Sequence, residues 1–295
     1  MSAIPIDGRT IAAELEARLR DEAAELASKG TTPKLAGLLV EGNPAAEKYA
    51  KVQSRACDRI GIDYRLVTLE ASIDLAGFQK AVDDLAEDAS VSGILIHRPL
   101  PDHLEGDHVP VILPPKRDVE GMHPWNLGRL IYKSGGLPPC TAMAAVHLLE
   151  STGIEIEGKE AVVVGHSEIV GKPIALWLLN RLATTTVCHH GTVDLAAHTR
   201  RADILFVAVG KPGLITGDMV RPGAVVIDIG INRVKVENED GSSSMRTVGD
   251  VDAASVRDVA GYLTPVPGGV GPVTTAMLMQ NTVHAAKRSM ETATA

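Results

Sequence analysis

The chain has 295 residues, 45% of them hydrophobic, with a formal net charge of −8. That length accommodates two domains or one large α/β domain, and the acidic balance, with no basic arm or stripe, excludes general nucleic-acid binding. Aromatic residues make up only 3%, so the core must be built from Ala, Val, Leu and Ile. No apolar run approaches membrane-spanning length, and residues 1–7 lack the charged and apolar tandem of a signal peptide. Cys57, Cys140 and Cys188 are few and far apart, which suits reduced thiols in the cytoplasm and neither a disulfide frame nor a metal site.

Residues 9–29 repeat Ile11, Leu15, Leu19 and Leu26 among charges, the pattern of an amphipathic helix ending before Gly30. The apolar run Lys34–Val40 predicts a strand. Asn43 then stands as a helix N-cap with Pro44 at the first helical position, and that helix runs to about Ile60 and stops at Gly61. A second strand is expected over 62–69, a helix over 74–89 and a third strand over 91–96. This β-α-β-α-β order calls for a parallel sheet with right-handed crossovers. Residues 97–139 are rich in Pro and Gly, without periodicity, and are read as strand-end loops and a connection between halves.

A helix over 140–151 leads into the second alternation. Ala161-Val-Val-Val164 suits a strand buried on both faces. The chain then breaks at Gly165 and enters a helix near Gly171, predicted to reach about residue 182. A strand ending in a glycine turn that feeds a helix N-terminus presents unpaired N–H groups to an anion. The spacing here is Gly165-x-Ser167-x-x-x-Gly171 and not the common G-x-G-x-x-G. Strands follow at 185–188, 204–209 and 224–229, with a short helix at 193–199. Residues 234–248 form a polar excursion, read as a hairpin around 237–241. A Pro/Gly loop at 263–272 precedes a last helix over 273–290. The end of the strand after the glycine turn, where an NAD site usually carries an acid for the ribose, is Cys188-His189-His190-Gly191-Thr192. A carboxylate there would repel a 2′-phosphate; imidazoles and hydroxyls would not. This tilts the reading toward NADP, against the alternative that both histidines are solvated loop residues.

Seven stretches together resemble the FolD family of bifunctional methylenetetrahydrofolate dehydrogenase/cyclohydrolases. They are Gly42-Asn-Pro-Ala-Ala-Glu-Lys-Tyr49, Gly93-Ile-Leu-Ile-His-Arg-Pro-Leu-Pro101, Asp118-Val-Glu-Gly-Met-His-Pro-Trp-Asn-Leu-Gly-Arg-Leu130, Gly165-His-Ser-Glu-Ile-Val-Gly-Lys-Pro173, Asp228-Ile-Gly-Ile-Asn232, Val248-Gly-Asp-Val251 and Thr264-Pro-Val-Pro-Gly-Gly-Val-Gly-Pro272. The resemblance implies an α/β protein of two domains flanking a cleft. Residues 1–138 would form a folate domain, to which 273–295 return, and 139–272 a Rossmann-like NADP domain. It also implies a cytoplasmic homodimer acting on tetrahydrofolate one-carbon derivatives, with no nucleic-acid or membrane partner and no metal. By the same resemblance Gly165, His166, Ser167, Ile169, Val170, Gly171, Pro173, His189, His190, Thr192 and Ile231 would bind the cofactor. Pro265, Gly268, Gly269, Val270 and Thr274 would border the substrate. His166 stands where many members carry a basic residue, and His190 where Ser or Thr is common.

The folate side departs further from the family. Tyr49 matches its pterin-stacking tyrosine, but the catalytic lysine one helical turn on is Gln53. The family's glutamine in Val-Gln-Leu-Pro-Leu-Pro is His97, with Arg98 for the leucine, and the second Asp of its Asp-Val-Asp-Gly is Glu120. Tyr49, Gln53, His97 and Glu120 are therefore the expected catalytic group, with Tyr49, His97 and Glu120 also touching substrate. Hydride transfer chiefly demands placement, which Gln53 tolerates. Hydrolysis of the methenyl product needs a group that handles protons, and an amide cannot. The expectation is an NADP-dependent methylenetetrahydrofolate dehydrogenase with weak or lost cyclohydrolase activity. Three alternatives stay open: His97 as the base in place of lysine, a pocket retuned to another one-carbon or pterin substrate with Arg98 meeting an anionic group, and a non-catalytic folate- or nucleotide-binding relative. An unrelated amino- or hydroxy-acid dehydrogenase would leave 264–272 unexplained.

Overall fold

The structure is a computed structural model that describes residues 2–106, 108–237 and 243–293. Along the chain come β1 (Ile4–Pro5), α1 (Gly8–Ser28), β2 (Lys34–Val40), α2 (Pro44–Ile60), β3 (Asp63–Leu69), α3 (Leu75–Glu87) and β4 (Gly93–Ile96). The segment expected to be loop contains two helices, α4 (Val109–Ile112) and α5 (Pro124–Tyr132), before α6 (Cys140–Glu150). Then follow β5 (Glu160–Val164), α7 (Gly171–Asn180), β6 (Thr184–Cys188), α8 (Leu195–Thr199), β7 (Ile204–Val207) and β8 (Val225–Asp228). The polar excursion is the antiparallel pair β9 (Asn232–Glu237) and β10 (Ser243–Val248), in register from Glu237 with Ser243 to Asn232 with Val248. The turn of this hairpin, at 238–242, lies outside the described residues. The described chain ends with α9 (Ala253–Val256), β11 (Tyr262–Leu263) and α10 (Val270–Ala293).

The chain divides into two compact units, one of residues 13–140 with the chain from Thr275 on, the other of residues 141–274 with the chain up to Ala12. The first has a three-stranded parallel sheet in the order β3-β2-β4. Its central β2 is buried along all but its first residue, which is why its sequence is continuously apolar. Asn43 caps α2 by accepting from the Ala45 and Ala46 amides, and Gly61 ends it in the left-handed region at φ 87°. Side chains including Leu38, Phe78, Val82 and Ile94 form the core between this sheet and its helices.

The second unit is built on a six-stranded parallel sheet in the order β1-β11-β8-β7-β5-β6. Strands β5, β7 and β8 are almost wholly buried, with Val162, Leu205 and Val226 in its aromatic-poor core. One correction to the domain boundary follows. Residues 1–12 were expected in the folate domain, yet Ile4 and Pro5 pair in parallel with Tyr262 and Leu263, which binds the amino terminus to the second unit. Two-residue strands carry no periodicity by which this pairing could be read in the sequence.

In the first sheet the earliest strand, and in the second the earliest after the edge strand β1, lies between later ones. From β2 the chain moves out to β3, then returns past β2 to β4; from β5 it moves to β6, then returns past β5 to β7. The strand order reverses beside β2 in one unit and beside β5 in the other. A crevice opens at the carboxyl ends of the strands at such a reversal, and open α/β sheets bind ligands there.

Candidate active site

At the reversal in the second unit, β5 runs straight into Gly165, held at φ +125°. A side chain there would place its Cβ 2.2 Å from the Ala208 carbonyl just past β7. A Cβ on Gly171 would lie 2.0 Å from the Gly165 carbonyl. Both glycines are therefore fixed by the close passage of backbone at this turn. Val170 precedes α7 without a side-chain cap; in the first turn the Lys172 amide donates to the Ser167 carbonyl at 3.1 Å and Pro173 has no N–H, which leaves the Gly171 amide for a ligand. Pro173 is buried in the first turn of α7, and His166, Ser167 and Ile169 are exposed on the turn.

Across from this turn, the loop after β6 brings His189 and His190 against His166. The three ring centroids lie 5.2, 5.8 and 5.8 Å apart. The Thr192 hydroxyl accepts from the His189 amide at 2.9 Å, and His189 Nδ1 accepts from the Gly191 amide at 3.1 Å. Among the described residues, no group of three His, Cys, Asp or Glu side chains is arranged to hold a metal ion.

A cavity of about 230 Å³ lies at the other side of the same sheet end, lined by Arg9, Asp228, Ile231, Thr247 and the loop 265–272. It contains Pro265, Gly268, Gly269 and Val270 of the predicted substrate border. Thr274 lies one turn into α10, its hydroxyl donating to the Val270 carbonyl at 3.1 Å. Buried carboxylates hold the walls. Asp228 accepts from the amides of Gly230, Asp250 and Val251, each at 3.0 Å. Burial, more than the nearby Asp250, pushes its carboxyl up to about 6. Asp250 in turn accepts from the Val209 and Gly210 amides and from the Asn232 side chain, at 2.7 to 2.9 Å. The Thr264 hydroxyl ties the last loop to β8 by accepting from the Asp228 amide at 2.7 Å. Arg9 escaped the sequence reading because it looks like one more charge on an amphipathic helix. Its guanidinium lies beside Gly268, 3.4 Å from where a Cβ would stand.

In the first unit, Tyr49 and Gln53 lie one turn apart on α2. Tyr49 is 55% exposed, whereas the Gln53 Oε1 is buried with no hydrogen-bond partner among the described residues. His97 follows β4 at the reversal, and its amide donates to the Leu38 carbonyl at 2.9 Å. Its imidazole is buried, with Nε2 3.0 Å from the Tyr64 hydroxyl. This pair fills the place of a side chain on Gly37, whose Cβ would stand 2.5 Å from the hydroxyl and 2.8 Å from Nε2. Burial pulls His97 down to about 4, so the ring is neutral across the physiological range. Tyr64 was missed because its partner lies 33 residues away.

Glu120 sits on a loop organised by Asp118. The Asp118 carboxylate accepts from the Gly121 amide at 3.0 Å, the His123 amide at 2.8 Å and the Asn126 side chain at 2.9 Å. The Asn281 side chain donates to the Val119 carbonyl at 2.8 Å and the Pro138 carbonyl at 3.0 Å, clamping the segments either side of Glu120. Burial, and then the Asp118 charge, push the Glu120 carboxyl up to about 8, against a smaller opposing pull from Arg98. Arg98 itself is ion-paired with Glu105, whose carboxylate also accepts from the Leu100 amide at 2.9 Å. Arg98, read from the sequence as a cation that could serve an anionic substrate group, is thus held in this pair.

A parallel sheet whose reversal point carries a glycine turn and an uncapped helix start defines a dinucleotide-binding α/β protein. Comparison with known proteins narrows this class. Residues 139–290 match the profile described as tetrahydrofolate dehydrogenase/cyclohydrolase, NAD(P)-binding domain, and residues 6–120 the catalytic domain of the same description. The chain belongs to this family. It is 48% identical over 283 residues, 96% of its own length and 91% of the relative's, to bifunctional protein FolD 2 of Mesorhizobium japonicum. Among solved structures it is similar to the FolD methylenetetrahydrofolate dehydrogenase/cyclohydrolase of Campylobacter jejuni, with a TM-score of 0.91 at 41% identity over 97% of this chain and 99% of that one. The Trypanosoma brucei enzyme, solved with NADP cofactor and inhibitor, gives 0.91 at 36% identity over 98% and 99% of the two chains.

Proposed function

We propose that this protein oxidises 5,10-methylenetetrahydrofolate to 5,10-methenyltetrahydrofolate with NADP, and hydrolyses the methenyl product slowly. The observation that carries this reading is Gln53: an amide with a buried, unpartnered oxygen stands one turn from Tyr49 where the family places a lysine. The bound nicotinamide supplies the hydride acceptor. The chain's own residues fit such a dinucleotide, because Gly165 and Gly171 leave the backbone of the turn bare and the Gly171 amide at the start of α7 has no side-chain cap. Exposed Ile169 and Ile231 offer apolar surface to flat rings. The exposed ring of Tyr49 offers a face on which a pterin can stack.

On the folate side the residues divide by what they can do with a proton. The Gln53 oxygen accepts a hydrogen bond from a ligand N–H but cannot take its proton. His97, near 4 and engaged with Tyr64, is too weak a base to replace a lysine at neutral pH. Glu120, near 8, holds its proton at pH 7 and is the one member of the expected catalytic group poised to exchange it there. Hydride loss from the methylene carbon is pushed by the folate's own nitrogens and needs placement above all. Attack of water on the methenyl carbon releases a proton, and Glu120, which keeps its own proton at pH 7, can take it up only in its small ionised fraction, which suits slow hydrolysis.

The deciding experiment mixes methylenetetrahydrofolate with NADP and follows methenyltetrahydrofolate over time. Accumulation of the methenyl form, decaying no faster than it hydrolyses spontaneously, is expected. Immediate conversion to the formyl form would sink the claim of slow hydrolysis, and absence of NADP reduction would sink the dehydrogenase itself. His97→Gln is expected to leave the residual hydrolysis unchanged. Family membership further supports a cytoplasmic homodimer, which sedimentation velocity of the purified protein tests.

A further inference from the structure

We propose that Tyr64 is a positioning residue: its hydroxyl donates to His97 Nε2 and fixes the imidazole hydrogen on Nδ1, so that His97 meets the folate as a hydrogen-bond donor. This inference rests on the dehydrogenase reading above and adds how a histidine holds substrate where the resemblance places a glutamine.

Three strands bring the pair together. Tyr64 on β3 is in register with Leu35, and Leu95 on β4, two residues before His97, is in register with Gly37. Side chains two apart on a strand share a face, so Tyr64, Gly37 and His97 lie on one face of the sheet. Gly37 sits within the central strand β2, where a glycine weakens the strand and marks the close approach of another group. That group is the contact itself. The Tyr64 hydroxyl and His97 Nε2, 3.0 Å apart, meet over Gly37, and a Cβ there would stand 2.5 Å from the first and 2.8 Å from the second. Any other residue at this position would part them.

A count of hydrogens gives the direction of the bond. Burial pushes the Tyr64 hydroxyl up and pulls His97 down to about 4, so the phenol keeps its hydrogen and the ring is neutral at pH 7. A neutral imidazole has one N–H and one bare nitrogen. Were the hydrogen on Nε2, it would point at the hydroxyl, and the phenolic hydrogen would have no acceptor, because Tyr64 makes no other side-chain hydrogen bond among the described residues. With Nε2 bare both groups are satisfied, and the ring hydrogen is set on Nδ1. Nδ1 makes no hydrogen bond among the described residues, yet it is not one of their fully enclosed, unpartnered nitrogens; it keeps accessible surface at the end of β4. Its N–H does what an amide N–H would do, donating to an acceptor atom of the folate without moving a proton. The lone pair that a base would need is the one Tyr64 occupies.

Two measurements on the full-length enzyme test this. In nitrogen NMR of isotope-labelled histidine side chains, His97 is identified as the signal lost in His97→Asn. It should show a protonated Nδ1 and a bare Nε2 in the wild type, and Tyr64→Phe should release the hydrogen to Nε2. A wild-type ring with its hydrogen on Nε2 would overturn the proposal. Steady-state NADP reduction supplies the second measurement. Tyr64→Phe, which keeps the aromatic packing, should raise KM for methylenetetrahydrofolate about tenfold, the scale of one hydrogen bond, with kcat and the KM for NADP little changed. His97→Asn puts an amide N–H in the place of Nδ1, where no tautomer has to be chosen. In that background Tyr64→Phe should raise KM no further. An equal rise in both backgrounds would reduce Tyr64 to a packing role and overturn the proposal, as would an unchanged KM in the single variant. The NMR result needs no substrate, so its failure leaves NADP reduction by methylenetetrahydrofolate standing, whereas a wild type that reduces no NADP overturns the functional reading.

Discussion

Under the proposed function, Gln53 and Glu120 would divide the task that the resemblance gives to one lysine. An amide orients a ligand without exchanging protons, and a carboxyl raised to about 8 exchanges them without bearing a charge at pH 7. Gln53→Lys is therefore expected to raise methenyltetrahydrofolate hydrolysis by about a hundredfold, the usual scale of a positioned acid–base group, read as faster loss of the methenyl absorbance. The titrating groups also set a stability profile. Between its ordinary 4.5 and about 8, folded Glu120 keeps a proton that the unfolded chain has released. Its contribution to stability thus falls as pH rises through that window. His97 acts in the opposite limb. Between about 4 and its ordinary 6.5 the unfolded chain binds the extra proton, so stability is lost as pH falls. Urea midpoints measured from about pH 5 to about pH 8.5 should lose the alkaline decline in Glu120→Gln and the acid decline in His97→Gln. The identities of these residues were legible in the sequence, whereas their states were not. The Tyr64 hydroxyl on His97 and the Glu105 carboxylate on Arg98 are contacts that only the fold creates.

At the level of elements, the alternation of apolar runs with amphipathic stretches revealed β2, β4, β5, β7 and β8, because strands buried on both faces are written as nearly unbroken apolar runs. Helix α5 stayed hidden in a Pro/Gly-rich stretch. Its N-cap is His123, whose Nδ1 accepts from the Trp125 amide at 2.9 Å, and its end is Lys133 at φ 52°, neither a usual cap signal. Two element junctions should prove fragile. Gly165→Ala would force a Cβ against the Ala208 carbonyl at a left-handed φ. It should cost about 1–3 kcal/mol in backbone strain alone and weaken dinucleotide binding, seen in thermal melts with and without NADP. Asn281→Leu strands the Val119 and Pro138 carbonyls in the interior. A loss of about 1–3 kcal/mol per unsatisfied group is expected, together with a shifted pH profile of hydrolysis, because the loop bearing Glu120 loses its clamp.

For the whole molecule, two units with separate cores imply separate responses to ligand. A ligand that binds only the folded state stabilises it by about 2.7 kcal/mol at a hundred times its dissociation constant. NADP should therefore slow amide exchange most in residues 141–274 and 2–12, with less effect in residues 13–140; equal slowing in both units would contradict this. Inclusion of the first twelve residues in that protected set is itself a test of the pairing of Ile4–Pro5 with Tyr262–Leu263.

That pairing also fixes an order of events during synthesis. Strands β2 to β4 are complete, and free to pair, while the second sheet is still being made. The leading strand has no such neighbour. Its partner β11 emerges near the end of the chain, and Gly8, whose Cβ would stand 1.8 Å from the Gly269 carbonyl, waits for the same late segment. Closing so long a loop can occur only after nearly everything between its ends has been translated. Residues 2–7 thus leave the ribosome long before their partners and are among the last to find their place, after both sheets have otherwise been made.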